Sequence, residues 1–163
     1  MEDRMSDYIA AEFGKTLANF QAMSEDTVLR DQLLQAVALA VTALKAGNKL
    51  LFAGNGGSAA DAQHWAGEMV SRFYYDRPGL AAVALTTDTS IMTAIGNDYG
   101  YEHVFSRQVE ALANAGDCLI ALSTSGNSPN VIAAVMAARN KGCRVVGLTG
   151  AKGKKLSALS DAC

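Results

Sequence analysis

Four short apolar runs constrain this chain more than any other feature: residues 49–53, 81–85, 118–122 and 144–148. Each is followed by a cluster of Gly, Ser, Thr or Asp and then by helical sequence. Runs that are apolar at successive positions suit strands covered on both faces, and strands alternating with helices suit parallel pairing through crossover connections. The expected fold class is therefore α/β: a doubly wound parallel sheet in an αβα sandwich. The helix at 128–141 has clear ends, with Ser128 as cap, Pro129 in the first helical position and Gly142 after the last turn.

Two helices precede the first strand. Ile9, Phe13, Leu17 and Phe20 repeat at helical spacing in one. In the other, Ser24 is the expected cap, Glu25 and Asp26 make an acidic first turn, and Leu33, Val37, Val41 and Leu44 form an apolar face that ends at Lys45 and Gly47. A chain of 163 residues suits one domain. Residues 1–47 form its helical part and 48–163 its α/β unit. The second helix carries Ala36, Ala38, Ala40 and Ala43 and few charges along its middle, so it is expected to pack in an oligomer as well as on its own domain.

Composition removes several classes of function. With 14 Lys plus Arg against 16 Asp plus Glu, the formal charge is −2, and nothing suggests a nucleic-acid partner. The apolar stretches read as too short and broken to span a bilayer, and the start, Met1-Glu2-Asp3-Arg4, lacks an apolar signal region. The expectation is a cytoplasmic protein with no membrane partner. Cys118 and Cys143 lie in apolar runs and read as buried thiols, with no disulfide framework. Residues 152–159 read as a further helix, and Cys163 falls where a fifth strand would begin. A last strand and closing helix would need roughly 20–30 further residues. The chain thus reads as a piece of a longer protein, and the expectation is that it has no turnover by itself.

Ligands of open parallel sheets bind at the carboxyl ends of the strands. Two loops there carry the signal. Gly54-Asn55-Gly56-Gly57-Ser58 leaves the first strand, and its three glycines allow a close backbone approach. Ser58 is the expected cap of the following helix, with Asp61 at capping-box spacing. Ser123-Thr124-Ser125-Gly126-Asn127-Ser128 leaves the third strand with four hydroxyls in six residues beside a helix start. Hydroxyls and backbone N–H groups can hold a phosphate without Lys or Arg, although a capped Ser-rich turn has the same sequence. The first loop also fits G-x-G-x-x-A, the dinucleotide fingerprint, with Asp88 as an approximate acidic partner. That scheme leaves the hydroxyl loop unused.

On the helix at 58–73, His64 and Glu68 share a face. They could bind one metal ion, act as an acid–base pair, or form a plain surface pair. Asn97-Asp98 could meet sugar hydroxyls or make an Asx turn. Arg72 and Arg77 could reach a substrate or cap carbonyls, and His103 reads as a surface or interface residue.

Taken together, Gly54–Ser58, Asp61-Ala62-Gln63-His64 with Glu68, Arg77-Pro78-Gly79, Gly96-Asn97-Asp98-Tyr99-Gly100 and the Ser123–Ser128 loop resemble the sedoheptulose 7-phosphate isomerases of the sugar isomerase (SIS) domain superfamily. The resemblance runs from the N-terminal helices to the chain end. It implies conversion of D-sedoheptulose 7-phosphate to D-glycero-D-manno-heptose 7-phosphate through an enediol, for heptose and lipopolysaccharide precursors. By resemblance, Ser123, Thr124, Ser125 and Ser128 hold phosphate, and Asn55, Gly56, Gly57, Ser58, Asn97 and Asp98 meet the sugar. His64 and Glu68 bind zinc, Glu68 is the base, and the assembly is a homotetramer with sites at subunit interfaces. The family's Gln and His on a last long helix have no counterpart in these 163 residues. The resemblance also extends to a non-catalytic SIS scaffold that binds the bacterial replication initiator.

Overall fold

The structure is a computed structural model that describes residues 2–163, with side chains from Arg4 onward. By its contacts the chain divides into two units, one ending at Leu34 and one running from Gln35 to Cys163. In the first, α1 spans Glu2–Glu25, and Tyr8, Phe13, Leu17 and Phe20 lie exposed along it. Helix α2 spans Thr27–Lys45 and crosses the boundary between the units. Its start is capped by Asp26, whose Oδ1 accepts from Leu29 N at 3.0 Å. The expected cap, Ser24, instead lies inside α1, and its hydroxyl donates to Gln21 O. A carboxylate one residue before the first helical N–H groups can both accept from them and oppose the helix dipole, which a hydroxyl one turn earlier cannot.

By length and composition alone α2 is apolar enough to cross a bilayer, with a mean hydropathy of 1.2 over 18 residues, which the reading of short, broken runs does not anticipate. Counting uninterrupted runs missed it because polar residues are spread thinly among many Ala, Leu and Val. The part of α2 within the second unit covers the sheet. Ala43 is buried against Leu50, Phe52, Cys118 and Ile120, and Gln35 Nε2 donates to Asp161 O at 2.7 Å.

The sheet contains β1 (Leu50–Ala53), β2 (Ala82–Ala84), β3 (Cys118–Leu122) and β4 (Arg144–Leu148). The strands are parallel in the order β2-β1-β3-β4, with Phe52 opposite Ile120 and Ile120 opposite Val146. Beyond β4, Ala162 pairs in parallel with Val146. Successive strand residues point to opposite faces. Leu50 and Phe52 face α2 and α3 (Gly57–Val70), which contributes Ala62 and Ala66. Leu51 and Ala53 face α5 (Ser106–Leu112), α6 (Pro129–Asn140) and α7 (Lys154–Leu159), which supply Val109, Val131, Val135 and Leu156. Helix α4 (Thr89–Asp98, 10 residues) and a 3₁₀ turn at Tyr101–His103 join β2 to α5. Cys118 and Cys143 are buried, and burial first, then nearby Asp161, pushes the Cys118 thiol up to about 12.

At the amino edge of the sheet, one carboxylate fastens two segments, the entry to β1 and the turn that enters β3. Asp117 is 1% exposed and accepts from Lys49 Nζ at 2.6 Å, Lys49 N at 3.0 Å and Asn114 N at 2.8 Å. Burial pushes its pKa up, but the bonds from Lys49 and Asn114 and the Lys49 charge outweigh burial and leave it below the ordinary carboxylate value. A depressed folded-state pKa means that this stabilisation is fully present above the ordinary value and is lost as pH falls through the folded one. Asp117→Ala is expected to cost about 3 kcal/mol at neutral pH, with a smaller difference from the unaltered protein at pH values below the carboxylate range. Urea unfolding at a series of pH values checks this, and a pH-independent difference would contradict it.

Candidate functional site

The strand order reverses between β1 and β3, so the loops leaving these neighbouring strands send α3 and α6 to opposite faces. That divergence opens a crevice at the carboxyl ends. In the β1 loop, a Cβ on Gly54 would lie 2.8 Å from both Ser58 Cβ and Ser58 O, so strand and helix meet there at glycine distance. Gly56 has a φ of 57° and is the N-cap of α3. Ser58 is therefore not the cap that its sequence position suggests. The positive φ at Gly56 starts the helix earlier, and Ser58 and Asp61 line a hollow instead. A Cβ on Gly57 would meet nothing within 4 Å, which leaves the loop's backbone open to a ligand.

In the β3 loop, Ser123 is 5% exposed, and its Oγ lies 2.9 Å from Ser128 Oγ. Ser128 occupies the N-cap position of α6 but makes no capping bond. Its hydroxyl is directed to Ser123 in place of the helix N–H groups, correcting the expectation that it caps. Thr124 and Ser125 are exposed, and Ser125 Oγ accepts from Asn127 N at 3.2 Å. The arrangement is a hydroxyl cluster at an uncapped helix start, which suits an anion. The two loops touch through Asn55 and Asn130. Asn55 Nδ2 donates to Asn130 Oδ1 at 2.9 Å, and Asn130 Nδ2 donates to Asn55 Oδ1 at 2.8 Å. Sequence reasoning missed Asn130, because an Asn in a helix's first turn after Ser-Pro carries no signal beyond helix initiation.

Two hollows flank α3. One, of about 320 Å³, is lined by Ser58, Asp61, Trp65, Thr124 and Thr149. The other, of about 300 Å³, is lined by His64, Trp65, Glu68, Met69 and Phe73. Trp65 is the wall they share, held edge-on to Phe52 with ring centroids 6.2 Å apart. His64 Nε2 and Glu68 Oε1 are 4.0 Å apart. Glu68 sits about 16 Å along the helix axis from Gly57 at 1.5 Å per residue, so within one chain it does not touch either loop. The pair fits two positions of a zinc sphere. Among the described residues no group of three or more His, Cys, Asp or Glu forms, so these residues of one copy do not by themselves make the three protein ligands usual for catalytic zinc.

Other candidates take structural positions. Arg77 donates to Glu68 O and Met69 O, both at 2.8 Å, and so caps the end of α3 behind Glu68. Arg72 is exposed. Asp88 caps α4 by accepting from Ile91 N at 2.9 Å, which occupies the carboxylate that a dinucleotide reading would need. Asn97 Nδ2 donates to Asp98 Oδ1 at 2.7 Å in the last turn of α4, and no hydrogen bond among the described residues joins either side chain to the loops. The Tyr101 hydroxyl, just beyond them, reaches Asn55 Oδ1 at 3.3 Å. His103 pairs with Glu102 at 3.1 Å.

The SIS domain family matches residues 12–150. The chain is 55% identical over 159 residues to the phosphoheptose isomerase of Aneurinibacillus thermoaerophilus, a match covering 98% of this chain and 80% of that protein. Among solved structures it is similar to phosphoheptose isomerase GmhA from Neisseria gonorrhoeae, with a TM-score of 0.88, 48% identity and coverage of 96% and 81% of the two chains. A phosphoheptose isomerase from Francisella tularensis gives a TM-score of 0.89 at 35% identity, covering 95% and 80%.

The loop geometry separates two glycines. Gly126 has a φ of 64°, and a Cβ there would collide with the backbone of Gly153. Gly126→Ala is expected to destabilise by about 1–3 kcal/mol from the left-handed backbone alone. Gly57→Ala has open space and an ordinary helical backbone, so its stability should stay within about 0.5 kcal/mol of the unaltered chain. Thermal unfolding of both variants checks the contrast, and equal losses would contradict it.

Proposed function

The chain belongs to the SIS-domain family, in its phosphoheptose isomerase branch, and from that premise we propose that it converts D-sedoheptulose 7-phosphate to D-glycero-D-manno-heptose 7-phosphate. The observation that carries the proposal is the pair of loops meeting across the β1/β3 crevice, one rich in hydroxyls and one in glycine. The phosphate sits at Ser123, Thr124, Ser125 and Ser128, where hydroxyls and the α6 start neutralise it without a cationic side chain. The sugar lies toward Asn55, Gly56, Gly57 and Ser58, with Asn97 and Asp98 at its rim.

In the reaction, the Glu68 carboxylate removes a proton from C1 as the C1–C2 double bond forms and the C2 carbonyl oxygen gains a proton. The resulting enediol receives a proton at C2, and loss of the C1 hydroxyl proton leaves the aldehyde. His64 either holds a metal with Glu68 or, without one, exchanges a proton with the oxygens, and Arg77 holds the helix end that carries Glu68. A zinc ion held by His64, Glu68 and further ligands would supply Lewis acidity toward the enediolate when bound. A cytoplasmic homotetramer feeding heptose into lipopolysaccharide completes the proposal, since Glu68 lies apart from the loops of its own chain and a second copy can close that gap.

Three measurements check this reading. Proton NMR of the reaction, run on the full-length gene product with zinc supplied, should show turnover that Glu68→Gln abolishes while substrate affinity is largely kept. Ser123→Ala with Ser125→Ala should weaken binding by roughly 1–3 kcal/mol for each charge-assisted bond lost. Full turnover in Glu68→Gln, or unchanged affinity in the double variant, would contradict the assignment. Light scattering should give four times the 17.0 kDa chain mass, and a monomer at micromolar concentration would overturn the assembly.

A further inference from the structure

The contact between Asn55 and Asn130 does more than join two loops. Asn130 is 3% exposed, and its Oδ1 accepts from the backbone N–H of Val131 at 3.0 Å as well as from Asn55 Nδ2. A reciprocal amide pair by itself could be built with both amides turned over, because each would still give and take one bond. The Val131 N–H removes that freedom, since it requires an oxygen opposite it. Asn130 must therefore turn its nitrogen toward Asn55, and the acceptor facing it must be Asn55 Oδ1.

The same oxygen also accepts from the Tyr101 hydroxyl at 3.3 Å, so both of its acceptor positions are taken. The Asn55 nitrogen gives one hydrogen to Asn130 and keeps a second. Asn55 is half-buried beside the open backbone of Gly57, where a ligand has room. We propose that Asn130 is a positioning residue that locks the amide of Asn55, so that the glycine loop offers the sugar an N–H donor and never a carbonyl acceptor. Such a donor favours a carbonyl, hydroxyl or enediolate oxygen on the ligand. It also couples the start of α6, beside the phosphate loop, to the loop that meets the sugar.

This proposal rests on the sugar-phosphate reading above, and calorimetry with sedoheptulose 7-phosphate separates the two. No binding by the unaltered chain would defeat the functional reading, and with it this one. Given binding, Asn130→Ala should raise Kd about five- to tenfold, the size of one neutral hydrogen bond. Asn55→Ala should raise it similarly, and adding Asn130→Ala to Asn55→Ala should change Kd by less than twofold. A merely structural role would not be absorbed by the Asn55 substitution. A Kd within twofold of the unaltered value for Asn130→Ala, or equal further loss in the Asn55→Ala background, overturns the proposal. If Asn130→Ala does not fold, the unaltered protein decides by NMR. On adding sedoheptulose 7-phosphate, one of the two Asn55 amide protons should shift while the one bonded to Asn130 stays in place, and no shift of either overturns it.

Discussion

The pairing of β1 with β3 is the constraint from which the site follows. These strands are neighbours in the sheet but are separated in sequence by β2, so their exits diverge to opposite faces. The N-termini of α3 and α6 then converge on one crevice from the two sides. Each brings a helix start rich in N–H groups, and glycine at Gly54, Gly56 and Gly126 lets the backbone turn sharply enough to bring them together. The amino edge must stay fixed for this to hold, and the buried Asp117, paired with the half-buried Lys49, fastens it by tying the segments that enter both β1 and β3.

The electrostatics of the crevice are those of dipoles rather than of cations. No Lys or Arg stands in either loop. A phosphate there would be held by hydroxyl groups already in mutual contact, as Ser123 and Ser128 are, and by backbone N–H groups. Because these donors are short and fixed, little side-chain entropy is lost when they bind, in contrast to a lysine. Arg77 serves the scaffold, on the carbonyls of Glu68 and Met69.

Much of this could be read from residues alone, and the exceptions have physical reasons. The limits of β3 and β4 coincide with their apolar runs, because both strands are buried on two faces and the run is the burial pattern. The two loops of the crevice were legible as strand-to-helix connections because glycine and serine clusters mark the turns after strands. Caps were read less well. Ser24, Ser58 and Ser128 all look like caps, yet Asp26 and Gly56 take the first two roles and Ser128 turns its hydroxyl to Ser123. Which of several neighbouring polar groups caps a helix depends on a backbone angle that sequence does not display. Asn130 was invisible for a different reason: its importance comes from Asn55, far away in sequence, and only the sheet order brings them together.

A crystal structure of this chain with D-sedoheptulose 7-phosphate bound tests the account most directly. The phosphate should lie among the hydroxyls of Ser123, Thr124, Ser125 and Ser128, with the sugar running over Gly56 and Gly57 and an Asn55 N–H directed at one of its oxygens. Phosphate held elsewhere on the chain, with the Ser123–Ser128 contact undisturbed, would contradict it.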